Sequence, residues 1–149
     1  MQHYPFRADR LVLVTAPGHP LQTANGGKKP RALRFEQALD QEFIGLAGDS
    51  ALQRYLGEHA ARAGKPLSYR IRLRSFDAIC RVVESGAGIA VVPATAARAC
   101  QRTMAIRSIR LSDAWAERNL TLCVRDLDAL PAHAVRLVEA LRADLEKLV

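Results

Sequence analysis

At 149 residues the chain is long enough for one domain with a full hydrophobic core, and it needs neither disulfides nor a metal to hold that core together. Its 22 Lys and Arg outnumber 15 Asp and Glu for a net charge of +7, yet aromatic residues are only 5%, too few to provide stacking platforms for nucleic-acid bases. No apolar run approaches the roughly 18 residues of a membrane-spanning helix, no pair of short helices with a central turn is present to enter a major groove, and a basic surface fits a small organic anion equally well.

The three cysteines, Cys80, Cys100 and Cys123, are widely spaced, with no CxxC pair and no secretory signal pattern at the N-terminus, so a reducing cytoplasm is the expected compartment. Cys80 and Cys123 lie in apolar patterns and are expected to be small core residues.

Residues 11–16, LVLVTA, predict a strand that Pro17, Gly18 and Pro20 interrupt. The segment 22–31, with Asn25, Gly26, Gly27, Lys28, Lys29 and Pro30, reads as a charged loop, followed by a short helix over 35–40 and a strand over 43–46. Gly48, Asp49 and Ser50 predict a helix start, after which Leu52, Tyr55, Leu56, Ala60 and Ala63 recur at helical spacing as far as Gly64. Over 68–74 the sequence alternates, which places Tyr69, Ile71 and Leu73 on one face of a strand and Arg70, Arg72 and Arg74 on the other.

The most informative stretch is SFDAICRVVESGAGIAVVP, residues 75–93. Ser75 is a good N-cap, and Phe76, Ile79, Cys80 and Val83 fall at i, i+3, i+4 and i+7, one apolar stripe of a helix. Gly86 can close that helix in the left-handed conformation, and Ile89 to Val92 read as a strand buried on both faces. Pro93 suits the first position of a further helix running to about Cys100. Strands then follow over 106–111 and 120–124, with Trp115 in a polar connection between them. Leu137, Leu141, Leu145 and Leu148 mark a final amphipathic helix of about 17 residues from near Pro131. Strands alternating with helices predict an α/β domain with a mostly parallel sheet.

Catalytic templates are missing from this pattern. There is no GxSxG, no GxGxxG or GxxxxGKS, and no cluster of His, Cys and acid, so neither an enzyme nor a cofactor is expected. His3, His59 and His133 share no metal-ligand spacing, and His19 falls in a turn.

Taken together, LVLVTAPGHPL at 11–21, FIGLAGDSALQRYL at 43–56, the 75–93 block and IRSIRLSDAWAERNLTLCVR at 106–125 resemble the effector-binding domain of LysR-type transcriptional regulators, in family order and over nearly the whole chain. The resemblance implies an α/β, periplasmic-binding-protein-like fold of two lobes with a small effector in the cleft between them. It implies one complete lobe over 20–116 plus part of the other, with 1–19 and 117–149 supplying the crossing strands and final helix of a first lobe truncated at its N-terminus. The family's DNA-binding helix-turn-helix is not in this sequence, so contact with DNA is expected only through that domain in a full-length parent. Apolar surface left uncovered on the truncated lobe is expected to drive self-association.

Helix starts at strand ends favour an anion, because unpaired N–H groups and the positive end of the helix dipole meet there. Gly48, Asp49, Ser50, Ser75, Phe76 and Val92 lie at such ends, and the resemblance places effector contacts at the same loops. Pro93 enters this set through the resemblance alone. Ser50 and Ser75 also serve as ordinary N-caps, Phe76 as the start of an apolar stripe, and Asp49 disfavours an anion beside it. Arg74, next to the Ser75 loop, is the arginine placed to reach one, although an arginine-lined strand face is commonly just solvated. Two other readings stand beside a metabolite-sensing regulator: the solute-binding protein of a transporter, and an α/β enzyme.

Overall fold

The computed structural model of the protein describes residues 1–146. It comprises two compact units: Arg10–Ala116, and Met1–Asp9 together with the chain from Glu117 onward.

The core of the larger unit follows from alternation along β1 (Gln2–Thr15), where Leu11 and Leu13 bury on one face and Val12 and Val14 on the other. Two strands flank it, β4 (Ala90–Pro93) and β5 (Arg107–Arg110), both antiparallel, with Val12 opposite Val92 on one side and Arg110 on the other. Beyond β4, a single parallel bridge from Phe43 to Ile89 joins β2 (Phe43–Leu46), which pairs in parallel with β3 (Tyr69–Leu73). The lateral order is therefore β3-β2-β4-β1-β5, with β3 at one margin.

Helices cover both faces. Leu52, Leu56 and Ala60 of α1 (Ala51–Arg62) join Leu11, Leu13, Ile89, Val91, Ile109 and Leu111 on the first face. On the opposite face, Ile79, Cys80 and Val83 of α2 (Phe76–Glu84) and Ala97 and Cys100 of α3 (Ala94–Gln101) pack with Val12, Val14, Ala90 and Val92. The expected burial of residues 89–92 on both faces is what this layering produces. Ser75 caps α2, its hydroxyl accepting from Ala78 N at 3.1 Å, and Gly86 past its end has φ +86°.

In the smaller unit β6 (Glu117–Val124) pairs with β1, and α4 (Ala132–Glu146) follows. Arg118 forms an ion pair with Asp9.

Of the five strands β1 alone runs against the others, while β3, β2, β4 and β5 share one direction, as the expected mostly parallel sheet requires. Several other expectations are corrected. Alternation over 69–73 breaks at a register shift between Phe43 and Ile44, so Tyr69 packs with the first face and Leu73 with the second, while Ile71 stays 42% exposed at the sheet margin. β1 starts at Gln2, nine residues before the apolar run; its first residues are mostly exposed, with Tyr4 and Phe6 alternating as half-buried side chains before the continuous apolar run begins. Pro93 ends β4 as the residue before α3, not as its first helical residue. Ala63 lies past α1 and is exposed. Trp115 sits in a 3-10 turn within an aromatic cluster, its ring centroid 4.0 Å from His59 and 5.2 Å from Phe35. Cys123 is exposed, not core, with Sγ 3.3 Å from His3 Nδ1. On α4 the covered stripe centres on Val138, and Leu137 is 60% exposed. Leu148 lies outside the described residues.

Candidate functional site

The parallel strands β3, β2 and β4 are neighbours, so their C-terminal ends lie along one edge of the sheet, and each leads into a helix. Ala47 to Ser50 link β2 to α1, Arg74 and Ser75 link β3 to α2, and Pro93 leads directly into α3. Three helix N-termini therefore follow the ends of three neighbouring strands, with the β2 loop between the other two in lateral order. Loops at the carboxyl ends of parallel strands are the general ligand position in α/β sheets.

Gly48 turns the chain with φ +78°, a conformation side chains disfavour, and a hydrogen bond of 2.7 Å from Ala47 N to Leu73 O ties the loop to β3. Ser50 Oγ accepts from Gln53 N at 3.1 Å, the N-cap of α1. Asp49 points to Arg54 at 3.3 Å; both side chains are largely exposed, so the pair adds little stability but offsets the local negative charge. Arg74 is exposed and, among the described residues, forms no ion pair, which leaves its guanidinium available. Phe76 is half-buried and packs against both faces' clusters. Val92 is fully buried, so only its backbone can face a ligand. Pro93 offers no N–H, and the first turn of α3 carries no side-chain cap. Its amide donors are the least engaged of the three helix starts.

Arg70 is exposed, while Arg72 lies over the Tyr69 ring at 4.5 Å, so the three alternating arginines do not act as one clamp. Asp77, in the first turn of α2, adds a second carboxylate to this edge.

Gln53, outside the expected set, also belongs to this edge. Its side chain is buried, Oε1 accepts from Leu46 N at 3.1 Å, and Nε2 donates to the Tyr69 hydroxyl. Burial pushes the Tyr69 hydroxyl up, opposed by the Gln53 hydrogen bond and by Arg72. The signal was present as Ser50-x-x-Gln53, the spacing of a capping box, but here the amide turns to the strand instead of to the cap.

Chemically this edge offers hydrogen-bond donors, the carboxylates of Asp49 and Asp77, the guanidinium of Arg54 paired with Asp49, and the guanidinium of Arg74. Neither Ser50 nor Ser75 has a histidine or carboxylate hydrogen-bonded to its hydroxyl among the described residues. No group of three or more His, Cys, Asp and Glu able to hold a metal ion occurs among the described residues, and no helix there is long and apolar enough to cross a membrane.

Known structures share this architecture. The BenM effector-binding domain with its effector benzoate superposes with a TM-score of 0.76 at 17% identity, covering 98% of this chain and 64% of that one. The regulatory domain of Synechocystis PCC6803 CcmR in complex with 2-PG gives 0.78 at 18% identity, covering 95% and 65%. The QuiR effector-binding domain in complex with shikimate gives 0.64 at 16% identity, covering 84% and 56%. The chain thus spans less than two thirds of each of these domains, and the shared fold is the periplasmic-binding-protein-like α/β fold. No curated protein sequence matches it. Residues 1–146 do match the family described as the LysR substrate binding domain, and it is to that family that the chain belongs.

Proposed function

We propose that the chain is the effector-sensing part of a cytoplasmic LysR-type transcriptional regulator, non-catalytic, binding a small organic anion at the ends of β2, β3 and β4. One observation carries the reading: three helix N-termini share one sheet edge, and a free guanidinium stands among them. Backbone amides and Arg74 supply charge-assisted hydrogen bonds, worth about 1.5–3 kcal/mol each. Gly48, Asp49, Ser50, Arg74, Ser75 and Phe76 would contribute side chains or backbone, and Val92 and Pro93 the strand end. Asp49 and Asp77 favour an effector that also carries a hydroxyl or amine. Related domains of this fold hold benzoate, 2-PG or shikimate, all acids or acid derivatives in keeping with this chemistry.

In this reading residues 20–116 are one whole lobe, and 1–19 with 117–149 supply part of the other. DNA is reached through a helix-turn-helix domain outside this sequence, and the chain self-associates. An effector that favours one conformational state moves the regulator by no more than its differential affinity for that state.

The test is a thermal-shift screen of small carboxylic and phosphate-bearing acids, because a ligand that binds only the folded chain raises stability by RT ln(1 + [L]/Kd). A saturable rise with at least one acid, lost in Arg74→Ala, is expected. A rise of equal size in Arg74→Ala would remove the anion from the proposal, and turnover of an acid derivative would remove the regulator.

A further inference from the structure

Among the described residues a single ladder bridge joins β2 to the chain entering β4. Ile44 N donates to Ile89 O at 2.8 Å and Ile89 N to Glu42 O at 3.0 Å, and beyond this bridge, toward the candidate site, no further ladder pairing joins the two strands among the described residues. In a continuing ladder Leu46 N, two residues beyond Ile44 and on the same side of β2, would bond to β4. It donates to Gln53 Oε1 at 3.1 Å instead. An amide side chain from α1 therefore occupies the position of the next ladder bond, and a part-buried N–H left without a strand partner is satisfied.

The Gln53 amide is itself held. Its Nε2 donates to the Tyr69 hydroxyl, and the Tyr69 ring lies between Arg72 on one side and the bare backbone of Gly45 on another. A Cβ on Gly45 would come within 2.5 Å of Tyr69 Cε1 and 3.0 Å of Gln53 Nε2, so the glycine is what allows both groups to sit there. The same Gln53 donates its backbone N–H to the Ser50 cap. Both ends of the loop from Leu46 to Ser50 are thus fastened to one residue.

We propose that Gln53 and Tyr69 are positioning residues that fix the Gly48–Ser50 loop and hold the unbridged end of β2 at the effector site. This rests on the effector-site reading above only for its consequence in binding; the loop geometry itself is testable without a ligand. Gln53 touches no effector in this scheme and acts through the Leu46 amide and the loop it anchors.

Residue-resolved amide hydrogen exchange on the full chain decides the matter. In Gln53→Leu the Leu46 amide is expected to exchange about tenfold faster, as a lost hydrogen bond implies, while Val12 and Val92 in the sheet change less than about twofold. Gln53→Glu keeps an acceptor for Leu46 N and another for the Tyr69 hydroxyl, and should restore protection. Tyr69→Phe should show a smaller acceleration confined to the same loop. Unchanged exchange at Leu46 in Gln53→Leu, or equal acceleration of every core amide, would overturn the proposal. Should Gln53→Leu fail to fold, Tyr69→Phe and Gln53→Glu decide it by the same criterion. Titration with shikimate and with benzoate adds a binding readout. Wild-type binding weakened about tenfold in Gln53→Leu supports the role, and binding that survives the change intact overturns it. A wild type that binds neither acid, alongside the expected exchange pattern, supports the positioning role and counts against the effector reading for those acids.

Discussion

The three thiols illustrate how far burial governs a side chain's chemistry. Cys80 and Cys100 sit in the second-face core, and burial, with Cys100 beside it, pushes the Cys80 thiol up to about 12. Cys123 lies exposed on β6 against His3. Since the thiolate is the reacting form, a disulfide reagent should titrate Cys123 in the native chain and reach Cys80 and Cys100 only after denaturation; rapid loss of two thiols from native Cys123→Ser would contradict this. The Asp9–Arg118 pair answers to the same logic with charge. Asp9 is 9% exposed, and Arg118 Nε is buried without a hydrogen-bond partner. Asp9→Ala would strip the guanidinium of its counter-charge and should lower the opening free energy of the smaller unit by about 2 kcal/mol, read from amide exchange over β6. Histidines supply a pH dependence. Desolvation holds both His19 and His59 below the ordinary 6.5, His59 while stacked on Trp115 at 4.0 Å. An unfolded chain takes up these protons at higher pH than the folded one, so their contribution is present above 6.5 and lost as pH falls through it. The urea midpoint should drop between pH about 7.5 and about 5.5, and less steeply in His59→Phe.

At the scale of elements, what the sequence made legible was whatever has a local cause. Ser50 and Ser75 announce α1 and α2 through the amides they accept from, and Ser75→Ala should cost about 1 kcal/mol in stability. Layering over 89–92 was readable because an unbroken apolar run needs cover on both sides. Gly88 carries a less visible constraint. A Cβ there would stand 2.8 Å from the Glu42 carbonyl oxygen, in the segment where β2 and β4 bridge, so Gly88→Ala should destabilise by about 2 kcal/mol. Nothing in the neighbouring residues signals this, because Glu42 is remote in sequence. The same reason hid the register shift that turns Tyr69 to the first face, the Gln53 bond to Leu46, and the aromatic cluster around Trp115. Each depends on which strand or helix lies alongside, and periodicity within one segment does not carry that information. On α4 the leucine stripe is right at the half-buried Leu141 and Leu145 and wrong at Leu137, where Val138 is the residue that finds a neighbour to cover it.

Across the molecule the two units differ sharply in core. The larger one buries apolar side chains on both faces of a five-strand arrangement, whereas in the smaller one Val138 is the one buried apolar side chain among the described residues. Leu120 and Leu137 there are 40% and 60% exposed, and a groove of about 400 Å³ runs between β1, β6 and α4, lined by Phe6, Leu120 and Leu145. A strand pair and one helix with so little buried surface have a low opening free energy of their own. Amides of β6 and α4 should therefore exchange well before those of Leu11–Val14 and Ala90–Val92, and unfolding followed by different probes should not coincide. Self-association would cover the exposed leucines, so protection over 117–146 should rise with protein concentration while the larger unit's stays constant. Leu137→Glu places a charge on that surface and should abolish the concentration dependence without altering exchange in the larger unit. Equal protection in both units at all concentrations would show that the smaller unit needs no covering.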